Sequence, residues 1–214
     1  MNSNSSKTAY HLWNIALLLA VITVFYNVVE GLISTFLGAS DETLSLFGFG
    51  MDSFIEVISG IGVWHMIVRV KRSIAKDGQA DIGSQRDRFE KTALRVTGVA
   101  FYLLTLGLVL TVVYNIITGS KPETTFWGII IASISICTMV ILMQTKIKVG
   151  KRLKSDAIIA DAHCTRTCVY LSIILLAASL LYEIFKIGYI DSIGALGIAY
   201  YSFKEGREAL EKAK

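Results

Sequence analysis

The chain has 214 residues, of which 53% are hydrophobic and only 18% are charged, and its mean hydropathy is +0.57. Soluble domains average about 45–50% apolar and about 25% charged residues, so this composition argues against an ordinary soluble protein and favours an integral membrane protein. The net charge of +4 is modest and carries no sign of a nucleic-acid partner, and three cysteines in apolar segments do not make a disulfide framework.

Six hydrophobic segments follow one another along the chain, at residues 12–37, 44–70, 93–118, 125–143, 157–185 and 190–203. A helix needs about 20 residues to cross the apolar core of a bilayer. The sixth segment is short, but the amphipathic stretch Lys204–Lys214 can continue its helix into water. The sequence predicts an all-α integral membrane protein, a six-helix bundle forming a single transmembrane domain over residues 1–214 with no separate soluble domain.

The lysine and arginine residues are concentrated on alternate connections. Most of the 21 lie between the second and third segments (Arg69–Arg95), between the fourth and fifth (Gln144–Asp156) and in the tail after Phe203. Basic loops stay on the cytoplasmic side of a membrane. We therefore expect a multi-pass protein of the cell membrane with both termini in the cytoplasm.

Three of the six segments carry a stripe of polar residues at helical spacing. Helical residues three or four positions apart lie on one side, and polar groups within a span face the bundle interior or a water-filled cavity. Single serines in such stripes are also explained by hydrogen bonds between helices. The stripes comprise Thr23, Asn27, Glu30 and Ser34 in the first segment, Asp52, Glu56, Ser59 and Gly60 in the second, and Asp161, Cys164, Cys168, Ser172, Ser179 and Glu183 in the fifth.

Two pairs within these stripes predict a metal site. Asp52 and Glu56 are one turn apart and cannot both ionise cheaply unless a cation lies between them. Cys164 and Cys168 offer two sulfur donors at the same spacing, and carboxylate with thiolate suits Zn²⁺ or the softer Cd²⁺ but not Mg²⁺ or Ca²⁺. The alternative is that Cys164 and Cys168 only pack in the bundle interior as small hydrophobic side chains. Metal must displace thiol protons, so a site opening alternately to each side would exchange metal for protons. The cation is then a transported substrate and not a resident cofactor.

Four further polar residues are candidates for orienting these ligands or relaying protons: Glu30, Asn27, Asp161 and His163. His163 lies about 100° around the helix from Cys164, so we expect it to pack or hydrogen-bond nearby and not to bind the metal. We expect Arg166 to reach the lipid headgroups or to pair with an acid.

The second segment (SLFGFGMDSFIEVISG, Ser45–Gly60) resembles the cation diffusion facilitator family, as do SDAIIADAHCTRTC and IDSIGALGIAYYSFKEGREAL near the fifth and sixth segments. That family has six spans with cytoplasmic termini and exports Zn²⁺ and related divalent cations in exchange for protons. Its D-x-x-x-D and H-x-x-x-D site pairs fall on Asp52 and Glu56 and on Cys164 and Cys168. The resemblance therefore implies the same four ligands, with two thiols that favour softer ions.

The family also commonly carries a cytoplasmic metal-binding domain after the sixth helix, which we expect this transmembrane chain to lack. A homodimer would then form through the spans, with Gly98 and Gly107 of the third segment as close-packing positions. We expect a transporter and not an enzyme. The alternatives are a metal-binding sensor or assembly partner that does not transport, and a thiol redox enzyme using Cys164 and Cys168.

Overall fold

The computed structural model describes residues 3–41, 43–77, 88–119, 122 and 125–213, and within them the regular structure is entirely helical. Residues 78–87 of the second connection lie outside the described part. The six helices are α1 (Ser3–Ser40), α2 (Leu44–Asp77), α3 (Arg88–Thr118), α4 (Phe126–Leu153), α5 (Asp156–Phe185) and α6 (Tyr189–Lys212).

Helices α1 to α5 are each long and apolar enough to cross a membrane. Helix α6 falls outside this group because charged residues interrupt its apolar run after Phe203, although the helix itself continues to Lys212 as the amphipathic tail indicated. The prediction of an all-α multi-pass membrane bundle is confirmed.

The helices extend further than their apolar segments. Most of the predicted connection Gln144–Asp156 is helical, because α4 continues to Leu153 and leaves only Lys154 and Ser155 as a turn. Lys154 takes the left-handed conformation (φ 51°), and the Ser155 hydroxyl accepts a hydrogen bond from the Ile158 amide of α5. Lysine and arginine are good helix formers, so a basic segment ends the membrane crossing without ending the helix.

The closest helix pairs are α1 with α2, α4 with α5, and α3 with α6. The α3–α6 contact depends on two glycines. A Cβ at Gly98 would lie 2.9 Å from the Gly206 carbonyl oxygen, so the two backbones meet directly. Gly98 thus serves a contact within the chain, whereas a Cβ at Gly107 would meet no atom within 4 Å.

The chain order gives the bundle two ends. We call the end that holds both termini and the α2–α3 and α4–α5 connections the basic end, and the other the opposite end. An apolar cluster fills the interior toward the opposite end and is called the opposite-end cluster here. Its main members come from α2, α5 and α6: Leu46, Phe49, Leu171, Leu175 and Ile198.

Candidate metal site

The polar stripes face inward. The α1 stripe is buried at each of its four positions, Thr23, Asn27, Glu30 and Ser34. Asp52 of α2 is 3% exposed, and Ser172 and Ser179 of α5 are fully buried. The helical spacing thus predicted correctly which side of each helix lies inside.

Glu56 of α2 and Cys168 of α5 are brought into direct contact. The Cys168 Sγ lies 2.7 Å from Oε1 and 2.8 Å from Oε2 of Glu56, and the thiol donates a hydrogen bond to the carboxylate. A thiol and a carboxylate that share one proton can both become ligands of a cation when the cation displaces that proton. The structure therefore brings one residue of the predicted carboxylate pair into contact with one residue of the predicted cysteine pair.

Asn27 and Glu30 of α1 lie beside this contact. The Asn27 side-chain amide donates to Glu56 Oε2 at 3.0 Å, which places α1 in the same polar cluster. The Glu30 Oε2 accepts a hydrogen bond of 3.0 Å from the Ser53 hydroxyl. Asn27 thus touches a predicted ligand directly, whereas Glu30 contacts the neighbouring turn of α2.

Asp52 and Cys164, the other two predicted ligands, have different surroundings. Asp52 Oδ1 accepts a hydrogen bond of 3.1 Å from the Ser202 hydroxyl of α6. Cys164 is half-buried, and its side chain lines the cavity described below. Among the residues that the structure describes, no three histidine, cysteine, aspartate or glutamate side chains form a group that could hold a metal ion.

A cavity of about 120 Å³ leads to the Glu56–Cys168 pair. Its walls come from the basic-end halves of α2, α3, α5 and α6 and from the middle of α1, and it reaches Lys212 near the end of α6. Asp52 does not line it, and the opposite-end cluster fills the interior beyond. The pair therefore lies at the inner end of a passage from the basic end. The polar and ligand-forming residues of the wall are Thr23, Asn27, Glu56, Ser59, Thr97, Asp161, Cys164, Thr165, Cys168, Glu205 and Lys212.

Glu205 of α6 is a wall residue that the sequence analysis missed. Its Oε1 accepts a hydrogen bond of 2.8 Å from the Thr167 hydroxyl of α5. Its side chain lines the same cavity as Glu56 and Cys164. The signal was present, because Glu205 follows Ser202 by three positions and so shares the inner face of α6.

Asp161 forms a buried ion pair that was also missed. The Lys146 ammonium of α4 lies 2.8 Å from Asp161 Oδ2 and donates to the Thr165 hydroxyl at 3.0 Å, and the Lys146 side chain is 2% exposed. The prediction placed Lys146 in a loop, but it lies on the inner face of α4. Asp161 therefore has a fixed cationic partner beside the cavity.

His163 is exposed and lines a second cavity between α5 and α6, together with Arg166 and Glu208. This cavity shares Cys164, Glu205 and Lys212 with the first. His163 does not line the cavity that reaches Cys168. The cysteines Cys164, Cys168 and Cys137 are all free thiols.

Two carboxylates near the opposite end bind helix N-termini. Asp191 of α6 accepts hydrogen bonds from the amides of Leu44 (2.8 Å) and Ser45 (3.2 Å), where α2 begins, and from the Ser45 hydroxyl. Glu183 of α5 accepts from the Thr125 amide at 2.7 Å, where α4 begins. Glu183 was part of the predicted polar stripe, and the structure shows it as a cap for a neighbouring helix.

Two comparisons with known proteins bear on this arrangement. The model of the cation efflux transmembrane domain matches residues 16–213. The chain is also 28% identical over 180 residues to an uncharacterized transporter of Methanocaldococcus jannaschii, an alignment covering 84% of this chain and 62% of the relative. The chain thus spans about three fifths of the length of this curated relative. The chain belongs to the cation efflux family of transmembrane proteins.

Proposed function

We propose that this chain exports Zn²⁺, or a softer divalent cation such as Cd²⁺, across the cell membrane in exchange for protons. The observation that carries the proposal is the contact between Cys168 and Glu56 at the inner end of a cavity. In this account the cation replaces the proton of that contact, and Asp52 and Cys164 complete the ligand set as the helices move.

The donor chemistry supports both the choice of ion and the coupling to protons. Thiolate sulfur favours Zn²⁺ and softer ions over Mg²⁺ and Ca²⁺. A thiol binds metal only after losing its proton, so each binding event releases protons and each protonation event releases metal. Cys168 and Glu56 are therefore suited to bind metal on one side of the membrane and protons on the other.

The shape of the bundle supports alternating access. The passage reaches Glu56 and Cys168 from the basic end, and the opposite-end cluster separates them from the other side. The positive-inside rule would place the basic end, with both termini, in the cytoplasm. The structure then corresponds to a state that accepts the cation from the cytoplasm, and rearrangement of the same helices would open the site outward.

The test is cation uptake into proteoliposomes containing the purified chain under an imposed pH gradient. Zn²⁺, Cd²⁺, Fe²⁺ and Mn²⁺ are compared for wild type, Glu56→Gln and Cys168→Ser, with Cys137→Ser as the matched cysteine control because Cys137 is exposed on α4. We expect gradient-dependent uptake of Zn²⁺ and Cd²⁺ by wild type and Cys137→Ser, and loss of that uptake in the other two variants.

Uptake that persists undiminished in Cys168→Ser would show that the site is elsewhere. Tight binding of Zn²⁺ without any flux would contradict transport and favour a role as a metal sensor or assembly partner. Uptake that does not depend on the pH gradient would support cation transport and contradict proton exchange.

A further inference from the structure

Asn27 has a side-chain oxygen with no partner beside the Glu56–Cys168 pair. The residue is 2% exposed, and it also lines the cavity. Its Nδ2 donates to Glu56 Oε2 at 3.0 Å, while its Oδ1 is buried without a hydrogen-bond partner in the described part of the chain. A buried amide oxygen left unpaired costs about 1–3 kcal/mol, so such an atom calls for an explanation.

The Asn27 amide presents its NH₂ group to Glu56 and its oxygen to another side. Asn27, Glu56 and Cys168 all line the cavity, and hydrogen bonds link Glu56 to both of the other two residues. Helices α1, α2 and α5 each supply one of the three.

We infer that Asn27 is a direct ligand of the transported cation, which it binds through Oδ1 together with Glu56 and Cys168. This inference rests on the proposed function and names a ligand beyond the four already given. Asp52 is held by Ser202 and does not line the cavity, so in this conformation Asn27 supplies the second oxygen donor. Its NH₂ group meanwhile stays on Glu56 and keeps that carboxylate oriented toward the cation.

The experiment measures Cd²⁺ binding to the purified full chain, by titration for the affinity and by X-ray absorption at the cadmium edge for the number of sulfur ligands. Asn27→Leu removes the oxygen, and Asn27→Cys replaces it with sulfur. We expect Asn27→Leu to weaken binding at least about tenfold. We expect Asn27→Cys to add one sulfur to the shell that wild type shows.

Thr97→Cys is the matched control. Thr97 is 2% exposed, lines the same cavity from α3 and also has a buried hydroxyl without a partner in the described part. A thiol at position 97 should leave the sulfur count unchanged.

Binding by Asn27→Leu within about twofold of wild type, or an unchanged sulfur count in Asn27→Cys, overturns the inference. An equal gain of sulfur in Thr97→Cys overturns it as well. If wild type binds no Cd²⁺ and no Zn²⁺, the proposed function itself fails and the inference falls with it.

Discussion

Carboxylates lie inside the bundle both near its opposite end and in its middle, but they bond to different kinds of group. Asp191 is 2% exposed, and backbone amides at the start of α2 take up both of its oxygens. Glu56 is bonded instead to side chains, the Cys168 thiol and the Asn27 amide, and it adjoins a cavity. Helix N-termini stabilise a negative charge by fixed dipoles and are not displaced by a cation.

The difference shows that burial alone does not mark a functional carboxylate. What distinguishes Glu56 is a partner that can lose a proton and a space that a cation can enter. Neither Asp191 nor Glu183 lines the cavity that reaches Cys168, and their hydrogen bonds to backbone amides join neighbouring helices at their ends.

The largest expected effect separates Glu56 from Glu183. We expect Glu56→Gln to reduce the initial rate of Zn²⁺ uptake at least about 100-fold, because the neutral amide can neither carry a proton nor balance the charge of the cation. Glu183→Gln should retain uptake within about threefold, since Glu183 bonds to Thr125 and Lys186 near the opposite end and does not line the cavity. Equal losses of uptake in the two variants, measured in proteoliposomes of equal protein content, would show that Glu56 and Glu183 do not differ in function.

The next effect concerns the ion pair of Lys146 and Asp161. We expect Lys146→Met to destabilise the fold by about 3–5 kcal/mol, because Asp161 is left as a partly buried charge without its cation. The combined variant Lys146→Met/Asp161→Leu should recover most of that loss. Thermal unfolding in detergent measures both, and failure of the combined variant to recover would mean that Lys146 contributes chiefly through the Thr165 hydroxyl.

A smaller effect is expected where Asp191 caps α2. Asp191→Ala should cost about 1–2 kcal/mol of stability, because the first amides of α2 lose their acceptor. The Cd²⁺ affinity of the folded variant should stay within about twofold, since the cap is far along α2 from Glu56. A large loss of Cd²⁺ affinity at full stability would show that the α2–α6 contact shapes the site.

The smallest effect is expected at Glu205. Glu205→Gln should weaken Cd²⁺ binding about two- to fivefold, because Glu205 lines the same cavity and we expect its charge to attract the cation without binding it. The loss should therefore shrink at high salt. Glu211→Gln is the control, because Glu211 is exposed and pairs with Arg207. A loss that salt does not change would make Glu205 a ligand and not a distant charge.

The sequence was sufficient to predict the helices and their inner faces, because helical spacing and hydropathy are local properties. The contact between α2 and α5 was predicted from the chemistry of the carboxylate and cysteine pairs, which suit one shared cation. It did not reveal that Asp52 bonds to Ser202 while Glu56 bonds to Cys168. That choice depends on how far each helix is rotated, which packing between helices decides. Lys146 was misplaced because a basic residue near a span end was assumed to lie in a loop, whereas Asp161 holds it inside.

The most direct measurement of the central claim is X-ray absorption at the cadmium edge for Cd²⁺ bound to wild type and to Cys168→Ser. If Glu56 and Cys168 hold the transported cation, wild type will show sulfur together with oxygen ligands, and Cys168→Ser will show fewer sulfurs per Cd²⁺. Cadmium bound by oxygen and nitrogen alone in wild type, or an identical sulfur count in both proteins, would contradict the account.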